Sequence, residues 1–275
     1  MTDQAALARA AASDDLILEE RRGAVAILTL NRPPARNALS LAMIAALHGA
    51  IERMSRDESV SVVILAAAGP AFCAGHDLKE LTAHRDDGDR GRAFFAETMR
   101  ACAAMMQAIV HCPKPVIAAV HATATAAGCQ LVATCDLAVA ADSAAFATPG
   151  VNIGLFCSSP MVALSRNVPR KQAMEMLLLG EMLEAGAARD YGLVNRVVPA
   201  DHVMHEAMSM AETIASKSPL TVAIGKEAFY RQLELDLSGA YDYAADDMVR
   251  YMLARDAEEG SNAFIDIRAP NWDGR

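Results

Sequence analysis

Between Pro115 and Cys135 the chain carries no formally charged residue. An apolar run of that length either spans a bilayer or is buried inside a folded core. His121, Thr123, Thr125, Gly128 and Gln130 interrupt it, which argues against a membrane span. The run therefore predicts a buried strand entering a buried helix.

Strand-length apolar runs recur on both sides of it. The first structured segment, 16–31, contains GAVAILTLN, alternates β-branched and aliphatic residues around Gly23 and stops at Arg32-Pro33-Pro34, predicting a strand and then a turn. Ser40 is the expected N-cap of a helix in which Leu41, Ile44, Leu47 and Ile51 recur at helical spacing through Met54. Residues 60–67 read as a strand covered on both faces. A long helix is expected over 93–111, ended by Cys112-Pro113-Lys114-Pro115. Strand 116–120, helix 126–134 and strand 137–140 follow, and this alternation defines an α/β fold class. From Arg170 the chain turns mainly helical, with Pro199 and Pro219 as breaks. The expected division is an α/β core over 14–198 and a helical region over 199–275. Within the latter, 240–259 predicts one amphipathic helix with Tyr241, Ala244, Met248, Tyr251 and Met252 on a single stripe. That stripe is expected to pack on a partner subunit, the alternative being the chain's own core.

The formal charge of -9 excludes nucleic acid as a natural partner, because phosphate binding needs a concentrated basic face. Six cysteines stand in apolar or alanine-rich contexts without CxxC or zinc spacing, which predicts reduced, buried thiols and no metal site. No dinucleotide fingerprint is present, so no nicotinamide is expected. The N-terminal MTDQAALARAAASDD lacks an apolar signal segment and is acidic for a transit peptide, so the expected compartment is the cytoplasm.

Two segments carry the chemistry. Both AFCAGHDLKE (71–80) and ATAAGCQ (124–130) place small residues at a turn that leads into a helix. Small side chains let a ligand approach the backbone, and free N–H groups at a helix start present partial positive charge. Two such turns facing one another form an oxyanion hole; the bland reading is tight packing of a helix on a strand. Around them, Asp77 reads as a helix cap and Lys79 as a cation near an anionic ligand or a solvated lysine. His121 reads as a satisfied core histidine. Cys129 stands at a helix start that favours thiolate, though inert packing competes. Cys157, Ser158 and Ser159 are candidates for lining a pocket, with no base to complete a nucleophilic arrangement.

Taken in order, NRPPARNAL, AFCAGHDLKEL, KPVIAAV, AAGCQLVATCD, FATPGVNIG, YGLVNRVVP and EGSNAF resemble the enoyl-CoA hydratase/isomerase (crotonase) superfamily across about 16–272. The resemblance implies a spiral α/β core of ββα units, a C-terminal helical trimerisation region, assembly as a homotrimer or dimer of trimers, and acyl-CoA thioester substrates. No cofactor is implied beyond the coenzyme A of the substrate. The oxyanion donors carry over to the backbone N–H groups of His76 and Ala127. Substrate contacts carry over to Arg36, Ala38, Ala74, His76, Asp77, Leu78, Lys79, Phe156 and Phe264, with Arg268 near the last. Where the family has glycines, this chain has Ala126 and Ala127; an alanine keeps its N–H, so the hole is expected to survive in a narrower space.

The two glutamates that hydratases of this family use correspond to Gln130 and Gly150, neither of which takes a proton at neutral pH. Losing a positioned acid or base costs about 10² to 10⁴ in rate. Gln130 is expected to hold a water or the acyl group by hydrogen bonds, and Gly150 to leave a void and a roomier pocket. The resemblance thus implies a hydratase-like lyase or isomerase with weakened or altered turnover, the alternatives being a non-catalytic acyl-CoA-binding protein or a CoA-thioester hydrolase.

Overall fold

Strands form where the apolar runs fall. The computed structural model describes residues 15–274, so the boundary expected at residue 14 and the N-terminal segment before it lie outside the described residues. The first run is a hairpin: β1 (Ile17–Arg22) pairs antiparallel with β2 (Val25–Leu30), and Gly23 takes a left-handed φ of 59° between them. Glycine adopts that conformation without a Cβ penalty, so the expected single strand becomes two.

Next come β3 (Val62–Ala67), β4 (Val116–Val120), β5 (Ala124–Thr125), β6 (Leu137–Ala141), β7 (Ala145–Ala147), β8 (Leu183–Glu184) and β9 (Arg196–Val198). The large sheet runs β1-β2-β3-β4-β6-β9, parallel from β2 onward. Parallel strands buried on both faces read as continuous apolar runs, which is why β3 and β4 lack alternation. The small sheet β5-β7-β8 holds the turns described below.

Helix α1 (Leu41–Arg56) starts at Ser40, whose hydroxyl accepts the Met43 N–H, and buries Met43, Ile44, Leu47 and Ile51. After α2 (Leu78–Ala83), α3 (Arg92–His111) packs on α1. Every residue of α4 (Ala127–Thr134) is buried, as the uncharged run predicts. Helices α5 (Ser158–Asn167), α6 (Arg170–Leu179) and α7 (Ala185–Asp190) precede α8 (Val203–Ala215), which packs across β2, β3, β4 and β6.

The C-terminal part comprises α9 (Pro219–Gln232), α10 (Leu237–Met252) and α11 (Arg255–Ile265). The one helix expected over 240–259 is therefore two. The chain extends at Ala254, and the buried Asp256 carboxylate accepts the Ser218 hydroxyl (2.5 Å) and the backbone N–H of Asp273 (2.9 Å). A carboxylate held that way fixes a new helix start where periodicity alone reads straight through. Tyr241, Met248 and Met252 of the stripe are exposed on the single chain. Helix α9 is pinned to the core by Lys226, whose Nζ donates to Asp136 (2.6 Å) and to the carbonyls of Ile109 (2.9 Å) and Lys114 (3.1 Å), while the Tyr230 hydroxyl donates to Asp136 (2.9 Å). Asp136 also accepts the Val116 N–H, so one carboxylate ties the start of β4 to the C-terminal helices.

Candidate active site

Three backbone segments meet at the start of α4. The middle one, 72–77, pairs with β5 on one side: Phe72 N–H donates to Thr123 O (2.9 Å) and Thr125 N–H to Cys73 O (2.9 Å). On its other side lies 36–39, where Ala74 N–H donates to Arg36 O (3.0 Å), Leu39 N–H to Gly75 O (2.7 Å) and Asp77 N–H to Leu39 O (3.1 Å). Because Gly75 and Asp77 both face Leu39, strand alternation turns the N–H of His76 away from it, toward β5 and α4.

At that point the two turns touch. Gly75 has φ of 88°, and a Cβ there would lie 2.8 Å from the Ala126 Cβ and 3.2 Å from the Ala127 nitrogen. Gly128 is closer still, with a Cβ that would meet Cys73 O at 2.1 Å. Among the described residues, neither the His76 nor the Ala127 backbone N–H has an acceptor. Two unpaired donors at one helix start form a pocket of positive potential, where the α4 dipole adds to them.

The alanine substitutions affect the turn in different ways. Ala127 begins the helix normally, but Ala126 is held at φ 50°, ψ -119°, a region that suits glycine, while its N–H donates to Ala147 O (2.8 Å). Such a residue stores about 1–3 kcal/mol, which the surrounding pairing must offset.

The candidate side chains fall into place around this centre. Asp77 is a cap: its Oδ1 accepts the N–H of Lys79 (3.0 Å) and Glu80 (3.3 Å), and its Oδ2 accepts Arg32 Nη1 (2.7 Å). Burial raises its pKa, but the Arg32 and backbone hydrogen bonds outweigh that and hold the carboxyl below its ordinary value. The His76 Nε2 is buried with no partner among the described residues, and desolvation lowers its pKa, so the ring is neutral at pH 7. His121 Nε2 pairs with Gly69 O (2.8 Å), as a structural histidine does. Burial pushes the Cys129 thiol up to about 12, which removes it as a thiolate. Arg36, Leu78, Lys79 and Phe156 are exposed and Phe264 is 86% exposed on α11, whereas Ala38 is buried. Near Phe264, Arg268 is committed to Glu259 through two hydrogen bonds of 2.6 and 2.9 Å.

Gln130 stands on the first turn of α4, 5% exposed, and its Oε1 has no partner among the described residues. Gly150 begins differently from expectation. A Cβ there would lie 2.7 Å from Leu155 O and 2.8 Å from Cys157 Sγ, and the Gly150 N–H donates to that sulfur (3.3 Å). The void expected beside Gly150 is therefore absent, because the loop folds over the glycine and fills the space with its own carbonyl and thiol. One positioning residue, Asn37, and one buried polar residue, Thr148, were not singled out by the motifs. Buried Asn37, at φ 53°, donates from Nδ2 to Ala68 O (2.8 Å) and Ala71 O (2.9 Å), fixing 36–39 against the loop before Phe72. Thr148, fully buried and with no partner for its Oγ1 among the described residues, precedes Pro149-Gly150. The αL tolerance of asparagine was the available signal for the first; Thr148 left none.

A parallel sheet that feeds two small-residue turns to one buried helix start, followed by a helical C-terminal region, is a crotonase-type fold. The family model for enoyl-CoA hydratase/isomerase matches residues 20–275. A rat protein, enoyl-CoA hydratase domain-containing protein 3, mitochondrial, is 49% identical over 89% of this chain and 80% of its own length. The crystal structure of a Mycobacterium smegmatis enoyl-CoA hydratase superposes with a TM-score of 0.89 at 50% identity, covering 94% of this chain and 98% of that one. The human enoyl-CoA hydratase domain-containing protein 3 structure gives 0.89 at 46% identity, covering 94% and 100%. The chain belongs to the enoyl-CoA hydratase/isomerase family.

The comparisons correct one expectation. The rat relative and a Dictyostelium discoideum probable enoyl-CoA hydratase are both named mitochondrial, which overturns the cytoplasmic reading. The cytoplasmic expectation rested on the N-terminal segment 1–15, nearly all of which lies outside the described residues. Among the described residues no helix is long and apolar enough to cross a membrane.

Proposed function

We propose that this chain binds an acyl-CoA thioester and polarises its carbonyl between the backbone N–H groups of His76 and Ala127. The observation that carries the reading is the pair of unaccepted N–H groups brought together by Gly75 and Gly128. Charge that develops on a thioester oxygen during enolate formation is stabilised there, by about 2.7 to 4 kcal/mol per donor. Exposed Arg36 and Lys79 meet the phosphates of coenzyme A, Ala38, Ala74 and Leu78 flank its chain, and Phe156 borders the acyl group. Phe264 and the exposed stripe of α10 are assigned to a subunit interface in a homotrimer or dimer of trimers, where Phe264 approaches the bound coenzyme A.

The chemistry is of the hydratase or isomerase type, with Gln130 holding water or substrate by hydrogen bonds and not transferring a proton. With no carboxylate at 130 or 150, turnover is expected about 10² to 10⁴ below that of a two-acid site. A second reading, acyl-CoA binding without turnover, is favoured by the loop that closes over Gly150. Calorimetry with saturated acyl-CoA, run beside an absorbance assay on 2-enoyl-CoAs, separates the two: binding with slow hydration supports the first, and binding with none supports the second. Absence of binding contradicts both.

A further inference from the structure

The loop that carries Gly150 closes on itself. Leu155 N–H donates to Gly150 O (2.9 Å), Gly150 N–H donates to Cys157 Sγ (3.3 Å), and a side chain at 150 would begin 2.8 Å from that sulfur. The thiol thus packs against the position that the first atom of a residue-150 side chain would take. Two further buried oxygens have no partner among the described residues. Thr148 Oγ1 lies two residues before Gly150, and Gln130 Oε1 lies on α4, the helix that packs against α5 just behind Cys157. Unpaired buried acceptors of this kind are costly, and a bound polar group or water relieves them.

We propose that Cys157 is a specificity-determining residue of the acyl pocket: its thiol lines the wall that a residue-150 side chain would otherwise form, and position 157, not 150, is where a carboxylate must be placed to supply a second acid. The inference rests on the acyl-CoA reading above and goes beyond it by naming the group that meets the acyl chain. Cys157 is 7% exposed, so it is a buried neutral thiol in contact with the loop, not a surface cysteine. Burial raises its pKa, and the Gly150 N–H offsets part of that rise. Cys73 and Cys129, pushed up to about 12, have no such donor aimed from this loop. An aspartate at 157 would inherit the Gly150 N–H as its hydrogen-bond donor, whereas a glutamate at 150 would first have to displace the Leu155 carbonyl.

Two measurements on the full chain test this. In the first, methyl methanethiosulfonate labelling is followed by peptide mass spectrometry at equal saturation with hexanoyl-CoA or with coenzyme A, the saturation being set by calorimetry. Hexanoyl-CoA is expected to slow Cys157 labelling about tenfold relative to coenzyme A and to leave Cys102 and Cys112 unchanged. If hexanoyl-CoA does not bind, the acyl-CoA reading itself fails. If it binds and Cys157 labels at the same rate with either ligand, or not at all without ligand, the inference about Cys157 is overturned. In the second, crotonyl-CoA hydration is compared among folded Gln130→Glu, Gln130→Glu/Cys157→Asp and Gln130→Glu/Gly150→Glu proteins. A gain of about tenfold or more is expected only for the variant with aspartate at 157. A gain only with glutamate at 150, or with neither, contradicts the proposal.

Discussion

In the proposed site, the oxyanion half and the acid half would respond differently to sequence change. The first is made of backbone: His76 and Ala127 contribute N–H groups, and any residue except proline supplies one. Alanine in place of glycine at 126 and 127 therefore keeps the donors and changes only the strain, seen as φ 50° at Ala126. In the proposed reading the second half is made of side chains, so glutamine at 130 and glycine at 150 would alter the chemistry outright. The loop also folds over the glycine, with Cys157 and the Leu155 carbonyl against the position of a side chain. A site built on backbone geometry survives substitution that a site built on proton transfer does not.

The comparison breaks most directly at Gly128. Its Cβ position is 2.1 Å from the Cys73 carbonyl, and no rotamer relieves a clash between two backbones. Gly128→Ala is expected to separate the two turns, cost about 3 kcal/mol in urea unfolding, and abolish acyl-CoA binding measured by calorimetry. Retained binding would mean that the contact between the turns does not form the site.

Ala126→Gly sharpens the same comparison in the other direction. Removing the Cβ from a left-handed position is expected to stabilise the chain by about 1 kcal/mol, read as a raised melting temperature, with acyl-CoA affinity preserved because the N–H groups stay in place. A loss of affinity would show that the alanine Cβ shapes the pocket.

The smallest expected effect is on pH dependence. The folded pKa of His76 lies below the ordinary histidine value, so as pH falls from about 6.5 the unfolded chain takes up a proton that the folded chain refuses. Stability should therefore decline over that window, and His76→Gln should flatten that part of the curve in thermal melts at pH 7.5, 6.5 and 5.5 while keeping its backbone N–H. Identical curves would place the ring in water and not in the buried position described.

Much of the frame around the two turns was legible in the sequence, because it depends on short-range signals. Ser40 and the spacing of Ile44, Leu47 and Ile51 specify α1, the uncharged run specifies β4 and α4, and Gly75 and Gly128 mark the two turns. The acid half was legible only as absences. Nothing local announces that Cys157 reaches back to Gly150, since that depends on how a 3-10 turn at Pro149–Ile153 closes. Long-range polar ties were hidden for the same reason: Lys226 and Asp136 lie 90 residues apart, and the Asp256 anchor that splits the expected C-terminal helix is made with Ser218 and the tail. Ala126 gave no warning of its conformation, because alanine ordinarily avoids it.

The most direct test follows the loss of conjugated enoyl-thioester absorbance when purified protein meets short, medium and aromatic 2-enoyl-CoAs, with Gln130→Ala and calorimetric binding of saturated acyl-CoA on the same preparations. The account predicts binding in both proteins and slow hydration that falls by about tenfold or more in Gln130→Ala. Failure of both proteins to bind any acyl-CoA would contradict it, because the paired N–H groups of His76 and Ala127 would then polarise no thioester.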